Sequence, residues 1–168
     1  AFPSFRAGER MYQLLRQVAG AACNAEKSGV VYVQTWKPEH PAIRYAKTHD
    51  FKTFARYELH QREMLMFPPY SRMIVFQFKS PSWSKVQAVA DKFCDAMRMV
   101  VGENPVMAPS PSVIEWMSGK YQWEANIKLD RKYNASAIEK LLDTISKKYD
   151  SIKPKGAGAV RINVDVDA

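Results

Sequence analysis

The chain has 168 residues, of which 46% are hydrophobic and 12% aromatic, and this composition excludes a wholly disordered protein. Its 25 basic and 17 acidic side chains give a formal net charge of +8, which favours a polyanionic partner such as nucleic acid over a merely solvated basic surface. The two cysteines lack C-x-x-C spacing and no apolar run approaches the ~20 residues of a membrane span. We therefore expect no disulfide framework, no zinc site, no membrane partner and a cytoplasmic location.

The first predicted element is a helix that begins near Arg6 and ends at Gly20. Its apolar residues follow the three-and-four spacing of one helix face at Met11, Leu14, Leu15 and Val18. After a polar break, residues 30–36, VVYVQTW, are rich in β-branched and aromatic residues, which predicts a buried strand. This order of helix, glycine loop and strand indicates the closing part of an α/β lobe.

Residues 41–65 are predicted to be helical, because apolar side chains are interleaved with charged ones. Pro68 and Pro69 end this segment, since proline lacks an amide donor and disfavours helix in the residue before it. We place a domain boundary near His49, with a helix from Asp50 connecting the two parts.

The pattern becomes regular from Arg72 onward. A strand places Ile74, Phe76 and Phe78 on one face, and Ser80 followed by Pro81 predicts the start of a helix. That helix has one apolar face, which consists of Val86, Val89, Phe93, Met97 and Val100. Cys94 lies next to this face and is interpreted as a packing residue rather than a reactive thiol.

A hairpin, a second helix and a last strand complete the chain. The hairpin turns at Ser118 and Gly119, and Ser136 and Glu139 have the spacing of a capping box at the start of the second helix. The returning hairpin strand alternates, with Tyr121, Trp123, Ala125, Ile127 and Leu129 on one face. The closing sequence VRINVDVDA alternates as a strand.

The order of elements from Arg72 is strand, helix, strand, strand, helix, strand. This order predicts an α+β, ferredoxin-like fold of the split βαβ type, with an antiparallel sheet and two helices on one face. The same architecture carries RNA binders, ribosomal proteins, enzymes and interaction modules, so the fold alone does not decide the function.

Five stretches, taken together, are similar to the C-terminal part of the replication-restart DNA helicases of the PriA (primosomal protein N-prime) family. They are FRAGERMYQLLRQVAG, EKSGVVYVQTWKPEHPAI, HDFKTFARYELHQREMLMFPPYSR, GKYQWEANIKL and VDVD. The resemblance implies that residues 1–48 end a second RecA-like helicase lobe. It further implies that residues 49–71 form a linker helix with a Pro-Pro stop, and that residues 72–168 form a C-terminal DNA- and protein-binding domain.

Residues 17–24, QVAGAACN, resemble the last helicase motif, Q-x-x-G-R-x-G-R, without its charges. Gln17 and Gly20 match, whereas Ala21 and Asn24 occupy the two arginine positions. An arginine finger can contribute ~10³-fold or more to phosphoryl transfer, and neither residue can replace it. Three explanations for Ala21 and Asn24 remain open: natural degeneration of the motif, deliberate substitution, or altered residues at the exposed edge of a fragment.

The resemblance implies ATP, magnesium and zinc for the full-length family, but we expect none of these cofactors in this chain. It contains no G-x-x-x-x-G-K-[ST] motif to bind phosphates, no acidic metal-binding box and no cysteine pairs, so it is not expected to be active alone. The implied partners are forked or single-stranded DNA, the tail of single-stranded-DNA-binding protein, and primosome proteins.

The candidate DNA-binding residues are Arg72, Lys120, Tyr121, Arg131 and Lys132. Long cationic side chains at strand ends reach phosphates without disturbing a core, and Tyr121 offers a ring to an unpaired base. The alternative is that the cations only solubilise the surface and that Tyr121 and Trp123 are core residues, an assignment we favour for Trp123.

Two functions from different classes remain open at this point. The first is part of an ATP-dependent 3′-to-5′ DNA helicase that binds branched DNA at stalled forks and restarts replication. The second is a non-catalytic ferredoxin-like adaptor that binds a protein or RNA partner.

Overall fold

The computed structural model describes residues 5–23 and 29–166. It divides the chain into two units, Ala1–Leu65 and Met66–Ala168, each with its own cluster of buried residues. The division falls inside the segment 49–71 that was predicted to link two domains.

The first unit contains three helices, α1 (Ala7–Ala22), α2 (Pro41–Lys47) and α3 (Phe51–Met64). Its small core joins one residue from each helix: the ring of Tyr12 stacks on that of Phe54 at 4.5 Å, and Ala42 is fully buried beside them. Arg62 of α3 forms an ion pair with Glu9 of α1 at 2.8 Å. Among the described residues of this unit few large side chains are buried, and these contribute little apolar stabilisation.

The end predicted for α1 at Gly20 is wrong by two residues. The helix continues through Ala21 to Ala22, and the amide of Cys23 donates to the carbonyl of Ala19. Alanine has the highest helix propensity, and a single glycine costs only ~1 kcal/mol, so the two alanines that follow Gly20 carry the helix onward.

The buried strand predicted for residues 30–36 is also wrong. The segment has no strand structure, and its aromatic residues Tyr32 and Trp36 are 91% and 101% exposed. Composition favours a strand only where a neighbour pairs with its backbone and covers its side chains. In the described part of the chain, all four strands belong to the second unit and none pairs with this segment.

The predicted helix 41–65 is two helices separated by a short turn. His49 adopts a left-handed conformation with φ of 59°, which interrupts the helix after α2. Asp50 then caps α3 by accepting a hydrogen bond from the amide of Thr53 at 3.0 Å, and this bonding lowers the pKa of Asp50. The predicted helix start at Asp50 is confirmed.

The second unit is a four-stranded antiparallel sheet with two long helices. Its strands are β1 (Ser71–Ser80), β2 (Ser110–Met117), β3 (Lys120–Asp130) and β4 (Arg161–Val166). Its helices are α4 (Trp83–Val101) and α5 (Ala135–Ile152), and a short 3-10 helix, Ala157–Ala159, precedes β4. The strand order β2-β3-β1-β4 with antiparallel pairing confirms the predicted α+β, ferredoxin-like fold.

The helices cover one face of the sheet, which we call the helix face. There the fully buried Ile74, Phe76 and Phe78 of β1 lie opposite Ile127, Ala125 and Trp123 of β3, as the alternation predicts. Trp123 is 5% exposed, so its assignment to the core is confirmed. The opposite, open face carries these residues: Met73, Val75, Gln77, Lys79, Gln122, Glu124, Asn126, Lys128, Arg161, Asn163 and Asp165.

Both long helices begin at residues other than those predicted. Ser82, not Ser80, is the N-cap of α4, because β1 extends through Ser80 and its hydroxyl accepts a bond from the amide of Ser82 at 3.2 Å. Asn134 caps α5 by accepting a bond from the amide of Ala137 at 2.8 Å, in place of the predicted Ser136. In each case two cap-forming residues lie close together, and tertiary structure selects one.

Strand β2 lies at a sheet edge and is interrupted by a bulge that is longer than the usual single extra residue. Pro111 pairs with Trp123 and Trp116 with Tyr121, so residues 112–115 of β2 lie opposite the single residue Gln122. The predicted turn is confirmed: Ser118 and Gly119 have φ of 53° and 74°, as a two-residue hairpin turn requires.

Cys94 is fully buried in the core, where burial raises the pKa of its thiol from 9.0 to about 12. We expect a thiol reagent at pH 8 to modify the exposed Cys23 rapidly and Cys94 only after unfolding. Because the unfolded thiol ionises near 9 and the folded one does not, the free energy of unfolding should also fall as pH rises above ~9. Labelling rates across a urea series test this, and rapid modification of both thiols without urea would contradict it.

Candidate nucleic-acid interface

The five candidate DNA-binding residues lie at opposite ends of the second unit's sheet. Ser80 pairs with Tyr121 at one end, and Ser71 pairs with Asp130 at the other. A strand rises ~3.3 Å per residue, so the length of β1 between Ser71 and Ser80 separates the two ends by ~30 Å. We call the first the hairpin end, because it carries the β2–β3 turn with Lys120 and Tyr121. The second is the proline end, because it adjoins Pro68 and Pro69 and carries the other three candidates.

The proline end is shaped by the aromatic-Pro-Pro-aromatic segment. The amide of Tyr70 donates to the carbonyl of Phe67 and closes a turn. The Phe67 ring lies 4.0 Å from the Lys128 ammonium, a cation–π contact on the open face. Burial there lowers the pKa of Lys128.

A groove at the proline end brings two candidate arginines together. Its volume is about 340 Å³ and its lining is formed by Pro68, Pro69, Ser71, Arg72 and Arg131. Arg72 Nη1 donates to the carbonyl of Tyr133 at 3.2 Å, which anchors this guanidinium within the fold. Lys132 Nζ lies 3.8 Å from Asp130 Oδ2, which offsets part of its charge. Arg131, which is exposed, is therefore the cation of this end most available to a phosphate.

The hairpin end presents aromatic rings as well as charge. Tyr121 is half-buried on the helix face and contacts Trp116 edge-to-face at a centroid distance of 4.5 Å. Trp116 is 52% exposed, so its ring offers more surface to a stacking base than the ring of Tyr121 does. Lys120 is exposed in the adjoining turn.

Sequence reasoning missed Trp116. Trp116 and Tyr121 stand at equal distances on either side of the predicted Ser118–Gly119 turn, so the hairpin register already pairs them. Two further cations were also missed. Lys79 of β1 and Arg161 of β4 pair with each other on the open face. Only the order of the strands in the folded sheet reveals this pairing.

The segment that resembles the last helicase motif begins on α1. Gln17, Gly20 and Ala21 are exposed there, whereas Asn24 falls outside the described residues. A Cβ added at Gly20 would meet no atom within 4 Å, so packing within the described part of this unit does not require glycine.

The residues described do not form a site for the metals that the resemblance implies. No three histidine, cysteine, aspartate or glutamate side chains come close enough together in residues 5–23 and 29–166 to hold an ion. None of the helices in this part of the chain has the length and apolar character needed to cross a bilayer.

The second unit is thus an α+β domain of the ferredoxin-like class with basic side chains at both ends of its sheet. The family model described as "Primosomal protein N C-terminal domain" matches residues 63–168. The chain belongs to the PriA family, and the matched region is the family's C-terminal domain.

Relatives in three bacteria share the similarity, and each is named replication restart protein PriA. The chain is 32% identical to the Bacillus subtilis protein over 82% of its own residues and 17% of the relative's. The chain is 32% identical to the Synechocystis protein over 99% of its own residues and 19% of the relative's. It is 38% identical to the Treponema pallidum protein over 73% of its own residues and 19% of the relative's. The chain thus spans about a fifth of the length of these relatives.

Proposed function

We propose that the chain is the C-terminal part of an ATP-dependent 3′-to-5′ DNA helicase that binds branched DNA at stalled forks and restarts replication in the cytoplasm. Membership of the PriA family carries this proposal, since the matched region includes the whole ferredoxin-like unit. Residues 1–48 would end the second motor lobe, residues 49–71 would connect it, and residues 72–168 would bind DNA and protein. ATP, magnesium and zinc would bind in other parts of such a helicase.

The charge distribution of the sheet supports a branched ligand. Arg72, Arg131 and Lys132 lie at the proline end, and Lys120 and Tyr121 lie at the hairpin end, ~30 Å away. A fork offers phosphates in more than one direction, so two separated contacts suit it better than they suit a short single strand.

A protein partner is the second candidate function, and one observation favours it. Strand β2 exposes a run of large apolar side chains in Val113, Ile114, Trp116 and Met117. Exposed apolar side chains grouped in this way are typical of an interaction surface. In the proposed helicase this partner would be a primosome protein or the tail of single-stranded-DNA-binding protein; in the adaptor alternative it would be the main ligand.

Titration of the 168-residue chain with forked DNA at several salt concentrations tests the proposal. With about four phosphate contacts, we expect affinity to fall ~10²-fold between 50 and 200 mM salt. A linear duplex of equal length serves as the control and should bind more weakly. Absence of binding to the fork at 50 mM salt would remove DNA contact from the chain's function and favour the adaptor.

A further inference from the structure

Three cations from three neighbouring strands meet on the open face at the hairpin end. Lys79 of β1 lies directly opposite Arg161 of β4. On its other side Lys79 lies opposite Gln122, two residues from Lys120 of β3. Neighbouring strands are ~4.8 Å apart and diagonal neighbours ~7–8 Å, so these residues form a continuous basic row across the sheet.

Within the part of the chain that the structure describes, no carboxylate forms an ion pair with a cation of this row. The ion pairs found there involve other cations, and none includes Lys79, Lys120 or Arg161. Of the acids on the same face, Glu124 accepts a hydrogen bond from the hydroxyl of Ser112 at 3.0 Å. Like charges that lie directly opposite in a sheet destabilise it, so the pairing of Lys79 with Arg161 favours an anionic ligand.

A neighbouring polar group holds one member of the row, and other amides lie on the same face. Arg161 Nε donates to Asn163 Oδ1 at 3.1 Å, which holds the guanidinium along β4 and leaves its terminal nitrogens for another acceptor. Gln77 lies opposite Asn163 and adds a second amide to the same face. The site therefore offers charged and neutral donors, which suits phosphodiester oxygens.

We propose that Lys79, Lys120 and Arg161 bind consecutive phosphates of one DNA strand that crosses the open face of the sheet at the hairpin end. The inference rests on the proposed DNA-binding function and locates its single-strand contact. The proline end is the weaker competitor, because beside the exposed Arg131 it offers Arg72, which is anchored to Tyr133, and Lys132, which lies beside Asp130.

The test compares two double variants of equal charge in binding to a fork with one single-stranded arm. K79Q/R161Q removes two cations of the row and keeps polar, hydrogen-bonding side chains. K147Q/K148Q removes two exposed cations from α5 and is the matched control. We expect K79Q/R161Q to bind roughly tenfold more weakly, with a salt slope smaller by ~1.4, and the control to change less than twofold.

The outcomes separate this inference from the proposed function. If the unmodified chain binds the fork and K79Q/R161Q has the same salt slope, the basic row does not contact DNA, whereas the proposed DNA-binding function still holds. If the unmodified chain binds no DNA, the proposed function itself fails. Displacement of the fork by polyglutamate as effectively as by an oligonucleotide of equal charge would reassign the row to an acidic protein segment. Should K79Q/R161Q not fold, K120Q in the exposed turn should reduce the slope by ~0.7, and an unchanged slope would overturn the inference.

Discussion

Replacement of Phe93 by alanine should lower the free energy of unfolding of the second unit by ~3–5 kcal/mol. The Phe93 ring lies 5.0 Å from Phe76, 5.5 Å from Phe78 and 5.0 Å from Tyr149, so it joins α4 to the sheet and to α5. Its removal would leave a cavity between all three elements. Since domains of this size are stable by only ~5–15 kcal/mol, urea denaturation should move to a much lower midpoint.

The control for this substitution lies in the same helix. Met99 is 59% exposed, and M99A should change the free energy of unfolding by no more than ~0.5 kcal/mol. A cost below ~1 kcal/mol for F93A would show that the two helices and the sheet are not held together through this cluster.

Introduction of arginine at the two positions that correspond to the arginines of the helicase motif should produce the largest functional effect. In a full-length helicase that contains this chain, Ala21→Arg together with Asn24→Arg is expected to raise DNA-stimulated ATP hydrolysis by ~10³-fold, because arginine stabilises charge on the transferring phosphoryl group. Ala21 is exposed near the end of α1, so an arginine there can extend outward without disturbing the described core of the first unit. The measurement is the rate of phosphate release with saturating forked DNA.

A matched control separates the motif from a general effect of charge. Gln13 is exposed on α1 about two turns before Ala21, and Q13R adds a cation outside the motif. We expect Q13R to leave the hydrolysis rate unchanged. Full activity of the protein with Ala21 and Asn24 in place would contradict the assignment of these positions to an arginine finger.

Much of the second unit could be predicted because each of its elements carries a pattern that one buried face imposes. Ile74, Phe76 and Phe78 alternate with polar residues, and the Ser118–Gly119 turn limits the hairpin to one register. The starts of α4 and α5 could not be predicted in the same way, since Ser80 and Ser82, and Asn134 and Ser136, are equally good caps as isolated residues.

The strand predicted for residues 30–36 was wrong, and the basic row was missed, for a different reason. The composition of VVYVQTW is that of a strand, but pairing partners, which local sequence does not encode, decide whether one forms. Lys79 and Arg161 are far apart in the chain and become neighbours only because β4 pairs with β1. Lys120 could be proposed as a DNA contact from sequence alone, because it directly follows the predicted Ser118–Gly119 turn.

The bulge in β2 has a consequence for how the molecule behaves in concentrated solution. An edge strand with exposed apolar side chains would ordinarily recruit strands from other molecules through its free amide and carbonyl groups. In β2 the displaced residues 112–115 interrupt that line, and Pro111 has no amide to donate. An incoming strand would find only two short pairing segments, so Val113 and Ile114 can remain exposed for a partner without seeding fibrils through this edge.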